Sequence, residues 1–315
     1  MLNHMLVAVN AVLPSFLIIA LGLYIRSRGK LDDKSLGKFN SIAFRVFLPF
    51  QIFKNIFDSP IGESFDVKLV LFVFFGLLLS GALALVTAIV TEPRRDRRGV
   101  MAQGMFRGNY VLLGMPLIES LFGAAGTGLA ALMIAVNIPI YNVLSVIFLE
   151  LYAGGEINVR KMVKDIVTNP LIDATVIGLL AKAVHLPLNA FPAAASALKS
   201  LSGVATPLCL FILGASFAPA SIRGYARSLW ITVAFKLVVI PGLALAAASA
   251  LGIRGVGLGV VMISFGAPTA VNSFTMAREL GGDSELAAGI VVVDTALSCL
   301  TLFGWIVLLR SLGLF

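Results

Sequence analysis

The chain has 315 residues, of which 59% are hydrophobic and only 13% are charged. A soluble domain usually has roughly a quarter of its residues charged, so this composition excludes an ordinary soluble domain and favours a protein whose main solvent is lipid. The formal net charge of +8 does not indicate nucleic-acid binding, because the basic residues stand at the ends of apolar runs and are not interleaved with aromatic residues.

Long apolar runs separated by short polar turns predict membrane helices, because about twenty helical residues span the bilayer core. The runs must be helical, since lipid offers backbone polar groups no partner. We predict ten helices, called spans 1 to 10 below, at 5–25, 36–57, 67–91, 98–121, 126–152, 168–186, 199–218, 227–251, 255–279 and 284–311. The predicted fold class is therefore an all-α membrane protein.

The turns between the spans alternate in charge. Arg26 and Arg28 follow span 1, and Arg94 and Arg95 follow span 3, whereas Asp58 follows span 2. Because basic residues favour the cytoplasmic side, we expect the turns after odd-numbered spans to be cytoplasmic and both termini to lie outside. The expected location is the cell membrane (plasma or bacterial inner), crossed many times.

The sequence lacks a catalytic signature. It holds no Ser-His-Asp, Cys-His or paired-carboxylate constellation, and Cys209 and Cys299 stand far apart inside apolar runs. We therefore expect no enzymatic activity, no metal, no cofactor and no disulfide framework.

An internal repeat divides the chain into halves of five spans each, residues 1–155 and 156–315. Pro14 in span 1 and Pro170 in span 6 are 156 residues apart, and Pro49 and Pro207 in spans 2 and 7 are 158 apart. Because five is odd, the second half enters the membrane from the opposite side and the repeat is inverted. Inverted repeats are typical of secondary transporters, which bind their solute near the midplane between the halves.

Spans 4 and 9 contain glycine, proline and amide or hydroxyl groups where an ordinary span would be aliphatic. The residues concerned are Gly108, Asn109 and Pro116 in span 4, and Pro268, Thr269 and Asn272 in span 9. Backbone freed by proline is tolerated in a membrane only where it is buried in protein or lines a cavity. Two simple proline kinks are one interpretation. We favour a crossover of broken helices, whose half-helix N-termini suit a carboxylate.

Further polar side chains lie inside predicted spans. Asn137 and Tyr141 flank Pro139 in span 5, where they either line the solute site or bond between helices. Ionisable groups in a span are costly and usually functional, which singles out Arg107, Lys236 and Asp294 for a charge or coupling role. Arg107 alternatively extends to the interface from its place near a span end. Lys236 and Asp294 are the deepest, and we predict that they pair.

These residues resemble the auxin efflux carrier family, which includes plant PIN carriers and bacterial malate and malonate permeases. The resemblance rests on Leu48-Pro49 and on segments 109–123, 236–241 and 267–279. It implies a scaffold of spans 1, 2, 6 and 7, a mobile transport domain of spans 3–5 and 8–10, an elevator-type movement and a homodimer. By the same resemblance, Asn109 faces the substrate carboxylate and Pro268 is the crossover proline.

The chain departs from the plant carriers at the expected site. Arg107-Gly108 stands where a Leu-Pro is expected, and Asn272-Ser273 where a Val-Pro is expected, so auxin is not the expected substrate. The favoured function is a secondary transporter of a small organic anion, a mono- or dicarboxylate. The alternative is a sodium-coupled organic-anion symporter of the bile-acid type. It ranks lower because few carboxylates lie near the breaks.

Overall fold

The computed structural model describes residues 2–59, 66–152 and 159–315, and these residues form helices and no β-strand. The helices are α1 Leu2–Ser27, α2 Asp33–Ile42, α3 Leu48–Phe57, α4 Val67–Thr91, α5 Arg95–Phe106, α6 Met115–Tyr152, α7 Val159–Val167, α8 Pro170–Ala183, α9 Pro192–Ser216, α10 Ala226–Ala234, α11 Ile240–Ala250, α12 Gly255–Gly266, α13 Asn272–Glu279 and α14 Ser284–Ser311. The predicted all-α class is confirmed.

Five helical segments of the described chain are long and apolar enough to cross a membrane. They are Val67–Thr91, Tyr110–Tyr152, Pro192–Ser216, Ala226–Ala250 and Ser284–Ser311, and shorter apolar helices cover Leu13–Ser27 and Gly255–Gly266. Leu79 and Val90 on α4 are more than two-thirds exposed, which suits a helix face that contacts lipid. The chain is a multi-pass membrane protein, and the count of ten spans stays a prediction.

The described chain contains three π-helical turns, each continuous with an α-helix on at least one side and each ending two residues before a proline. They cover Ala43–Phe47, Tyr110–Gly114 and Phe235–Val239. Because proline lacks an N–H, the carbonyl four residues earlier loses its helical partner. Before Pro241 that carbonyl belongs to Leu237, and it accepts a hydrogen bond of 3.0 Å from the Trp305 indole. A π-helical turn thus precedes each of these prolines, where the helical hydrogen-bond pattern is interrupted.

Several predicted boundaries differ from the structure. Span 4, predicted at 98–121 with a break at its glycine and amide residues, corresponds to two helical segments: α5 ends at Phe106 and helix resumes at Tyr110. The gap expected at 122–125 is only a non-helical Gly123, with φ 63° and ψ −148°, inside one helical run. A short helix, α7, lies in the predicted connection 153–167, where its charged residues and short length gave no membrane signal.

The helices form two groups, and each group combines helices from both halves of the chain. In the first group α1 packs on α9 and α3 packs on α8. The α1–α9 contact needs glycine on both sides, because a methyl group at Gly22 would overlap the Phe211 carbonyl and one at Gly214 would overlap the Ile19 carbonyl. The second group holds α4, α5 and α6 against α10, α12 and α14. The cavity described below lies where α3 and α9 meet the second group.

Candidate substrate-binding site at the helix crossing

Two interrupted helices cross at the centre of the second group. After α5 ends, Gly108 pairs with Thr269 in an isolated antiparallel β-bridge. The backbone N–H of Asn109 donates a 2.7 Å hydrogen bond to the Pro268 carbonyl. The non-helical segments 107–109 and 267–270 therefore satisfy part of each other's backbone, as buried backbone requires. Pro116, which was expected near the break, instead lies inside the first turn of α6.

Lys236 binds the C-terminal ends of both interrupted helices. Its side chain is fully buried, and Nζ donates 3.2 Å hydrogen bonds to the carbonyls of Phe106 and Phe265. These carbonyls belong to the last turns of α5 and α12, where helical carbonyls lack partners and the helix dipole is negative. The ammonium group therefore neutralises two helix ends with one charge. A Cβ at Gly108 would lie only 3.5 Å from this Nζ.

Asp294, on α14, binds the crossing from another direction. Its Oδ2 is hydrogen-bonded to the Thr269 hydroxyl, which also donates a 2.8 Å bond to the Gly104 carbonyl. The direct ion pair that we predicted between Lys236 and Asp294 is not formed, since the two side chains have no N···O contact within 4.0 Å. Helix-end carbonyls and a hydroxyl take the place of the expected partners.

A cavity of about 350 Å³ lies against the N-terminal starts of the two resumed helices. Its wall includes residues 108–112, which lead into the turn before α6, and residues 270–272, which lead into α13. The first N–H groups of a helix have no partner in the helix and carry partial positive charge. The remaining lining residues are Leu48, Gln51, Ile52, Asn55, Arg107, Pro116, Ile138, Tyr141, Asn142, Thr206 and Cys209.

Arg107 is the charged side chain among these lining residues. It is only 3% exposed, so the alternative in which it extends to the membrane interface is wrong. Its guanidinium donates to Asn142 Oδ1 at 2.9 Å and lies 2.8 Å from the Met276 sulfur. No described carboxylate lies within 4.0 Å of it. Both partners are neutral, and the described residues supply no counter-ion for this buried positive charge.

The predicted site residues divide into two sets. Gly108, Asn109, Pro116, Tyr141 and Asn272 line the cavity together with Arg107, whereas Asn137, Pro268, Thr269, Lys236 and Asp294 do not. The second set supports the first: Asn137 donates a 3.1 Å bond to the Ser264 hydroxyl on α12. Tyr141 also reaches α12, where its hydroxyl bonds the Ser264 carbonyl.

Sequence reasoning missed the wall contributed by α3 and α9. Gln51 and Asn55 on α3 face Thr206 and Cys209 on α9, and Gln51 Nε2 donates a 2.7 Å bond to the Thr206 hydroxyl. A signal was available, since these residues stand close to Pro49 and Pro207, which had already been matched between the halves.

A polar contact, which we call the α2–α13 contact, lies about two helical turns from the cavity along both helices. The Glu279 carboxylate of α13 accepts hydrogen bonds from Asn40 at 3.4 Å and Ser41 at 2.8 Å, and pairs with Arg45 at 3.2 Å. Asn40 also donates to the Thr275 carbonyl at 3.2 Å. These bonds join helices on opposite sides of the cavity.

A family model described as "Membrane transport protein" matches residues 7–306 of the chain. The chain belongs to this family. It is the family of the auxin efflux carriers, as the resemblance implied, so the chain is a transporter and not an enzyme.

Relatives of similar length give the same assignment. An uncharacterized transporter of Methanocaldococcus jannaschii is 24% identical over 96% of this chain and 100% of its own. An uncharacterized transporter of Methanothermobacter thermautotrophicus is 23% identical over 95% of this chain and 98% of its own. A Rhizobium meliloti protein provisionally named a malonate transporter is 25% identical over 95% of each chain.

Proposed function

We propose that this protein is a secondary transporter for a small organic anion, a mono- or dicarboxylate. The observation that carries the proposal is Arg107, a buried cation on the cavity wall with neutral partners only. Buried charges in proteins are normally paired, and a bound carboxylate would supply the missing partner. Arg–carboxylate contacts are also among the strongest and most directional hydrogen bonds.

The backbone around the cavity favours the same sign of charge. Each helix N-terminus is equivalent to roughly half a positive charge, and the cavity adjoins two of them. The amides of Asn109 and Asn272 lie beside them, and Asn272 Oδ1 is buried without a hydrogen-bond partner. An amide turned to place its NH₂ group inward adds a donor for a carboxylate oxygen. No acidic side chain is among the lining residues.

The proposed architecture is ten spans in a 5+5 inverted repeat. The pairs α1–α9 and α3–α8 support it. Each pair holds one helix from each half, and a two-fold axis relating the halves converts one pair into the other. We propose that spans 1, 2, 6 and 7 form a scaffold and that spans 3–5 and 8–10 move past it in elevator-type alternating access. The position of the cavity between α3, α9 and the crossing supports this division. A homodimer and outside termini are part of the proposal.

The sodium-coupled alternative is less favoured by the geometry. A sodium ion would need carbonyls and carboxylates converging on one point near the crossing. The converging carbonyls of Phe106 and Phe265 already bind the Lys236 ammonium. In the described part of the chain, no group of three or more His, Cys, Asp or Glu residues converges. The provisional name of the Rhizobium relative further supports an organic anion.

Uptake into proteoliposomes tests the proposal. Radiolabelled mono- and dicarboxylates, malonate among them, are compared with their neutral amides, because malonamide has a similar shape without the charge. We expect saturable uptake of at least one carboxylate, no competition by its amide, and no requirement for sodium. Competition by the neutral amide that equals competition by the acid would overturn the anion assignment. A strict sodium requirement would favour the alternative.

A further inference from the structure

The hydrogen bonds at Thr269 require a proton on a neighbouring group. A threonine hydroxyl has one proton to donate and lone pairs to accept with. Thr269 Oγ1 is in hydrogen-bond contact with both the Gly104 carbonyl and Asp294 Oδ2. A carbonyl can only accept, so the hydroxyl proton belongs to the bond with Gly104. The proton in the second bond must therefore come from Asp294.

The surroundings of Asp294 favour a neutral acid for a second reason. The residue is fully buried, and its other oxygen, Oδ1, has no hydrogen-bond partner. An ionised carboxylate has about four acceptor sites and is costly to bury with one of its oxygens unpaired. If the Thr269 hydroxyl shared its proton between Gly104 and Asp294, the bond to Oδ2 would be weakened and Oδ1 would still have no partner. A protonated acid donates through Oδ2 and leaves only a carbonyl-type oxygen unpaired.

Charged groups on the packed helices do not supply a counter-ion. Lys236 is the cation facing Asp294, but it donates to two helix-end carbonyls whose dipoles offset its charge. Arg107 is bonded to Asn142 and Met276, and α12 has no charged residue.

The other charged residues on these helices lie near helix ends or are exposed. Arg26 on α1 bonds Asp33, Arg97 on α5 pairs with Asp283, Arg278 on α13 bonds Ser216, and Glu279 pairs with Arg45. Arg95, Asp96 and Arg98 lie in the first turn of α5, Arg227 and Glu285 in the first turns of α10 and α14, Arg310 in the last turn of α14, and Arg223 in the turn before α10. Lys199, the eighth residue of α9, is exposed.

We propose that Asp294 is a proton-binding site, occupied in this conformation, and that its proton moves together with the anion. The proposal rests on the proposed anion transport. Loss of the proton would turn the Thr269 hydroxyl from Gly104 towards the carboxylate and release a backbone carbonyl of α5. Thr269 is also the bridge partner of Gly108, next to the cavity wall. Protonation is thereby linked to the structure of the crossing.

Infrared spectroscopy tests the protonation without any transport. A protonated carboxylic acid in an apolar site gives a separate C=O stretching band. We expect the wild-type protein to show this band and Asp294→Asn to lack it, since the asparagine amide can still donate to Thr269 and preserve the fold. Ser298→Ala is the matched control, because Ser298 lies one helical turn away on α14, is buried, and bonds only a backbone carbonyl. A band that persists unchanged in Asp294→Asn would overturn the assignment.

Proton movement is then measured in proteoliposomes that contain a pH-sensitive dye. We expect carboxylate uptake by the wild type and by Ser298→Ala to acidify the lumen, and Asp294→Asn to lose this acidification per anion taken up. Wild-type uptake without any pH change would refute the coupling while leaving anion transport intact. Absence of carboxylate uptake by the wild type would instead refute the proposed function, and the infrared result would still stand by itself.

Discussion

Replacing Arg107 with glutamine tests the charge on which the proposed function depends. The variant removes the buried guanidinium and keeps a polar side chain that can still bond to Asn142, 2.9 Å from the wild-type guanidinium. The crossing itself should persist, because its bonds involve Asn109, Pro268 and Lys236. A change in ligand binding then reports the charge and not the fold.

The size of the effect follows from the burial of Arg107. Removing one partner of a buried, hydrogen-bonded charge pair costs about 2–5 kcal/mol. Asn109, Asn272 and the two helix N-termini would still bind the carboxylate, so we take the lower half of this range, about 2–3 kcal/mol. Since about 1.4 kcal/mol corresponds to a tenfold change in affinity, Arg107→Gln should weaken carboxylate binding about 30- to 150-fold.

Ligand-induced stabilisation in detergent measures this loss. At a ligand concentration of about 100 times the wild-type Kd, binding stabilises the folded wild type by about 2.7 kcal/mol. A variant with a Kd about 100-fold higher gains only about 0.4 kcal/mol under the same conditions. Arg254→Gln is the control, because Arg254 is exposed and lies at the start of α12, outside the cavity lining. Equal stabilisation of Arg107→Gln and wild type would refute the reasoning.

Three further predictions concern the cavity and its frame. Asn109→Ala removes a donor to a charged ligand, worth about 1.5–3 kcal/mol, so the apparent KM for carboxylate uptake should rise about tenfold or more; unchanged uptake would remove the crossing from the site. Gly214→Ala should lower thermal stability by about 1–3 kcal/mol through overpacking, whereas Gly203→Ala on the same helix, with nothing within 4 Å, should not; equal melting temperatures would contradict the close α1–α9 contact. In a Cys299→Ser background, the substrate should slow alkylation of Cys209 by a maleimide, because Cys209 lines the cavity; an alkylation rate insensitive to substrate would place the ligand elsewhere.

The breaks were predictable because their causes are local. Glycine, proline and amide residues stand together at Gly108-Asn109 and Pro268-Thr269, and each of these residue types disfavours a helix interior. Gly108-Asn109 and Pro268-Thr269 are 160 residues apart, close to the offsets of 156 and 158 between the matched prolines, and the structure brings the two dipeptides into contact through the Asn109 N–H and the Pro268 carbonyl.

The partners of the charges were not predictable, because they carry no signal in the sequence. Lys236 binds backbone carbonyls, which every residue has. Its pairing with Asp294, the deepest acid in the sequence, was therefore the natural prediction, and it was wrong. Arg107 was placed near the cytoplasmic end of span 4 by its position along the chain. The break after Phe106 and the contact with Met276 bury it instead, and such depth follows only from the three-dimensional path of α13.

Arg107 has no counter-ion among the described residues, and this has a consequence for how membrane voltage acts on the transport cycle. The bound anion would cancel the charge of Arg107, while Asp294 loses its own charge when it takes up the proton that moves with the anion. A site loaded with a monocarboxylate and a proton would then carry the same charge as the empty site with ionised Asp294. A charge that crosses the whole membrane changes in energy by about 2.3 kcal/mol per 100 mV. Voltage would therefore leave monocarboxylate transport almost unaffected, whereas each dicarboxylate carries one negative charge more than the proton compensates. The current that accompanies transport thus distinguishes the two substrate classes.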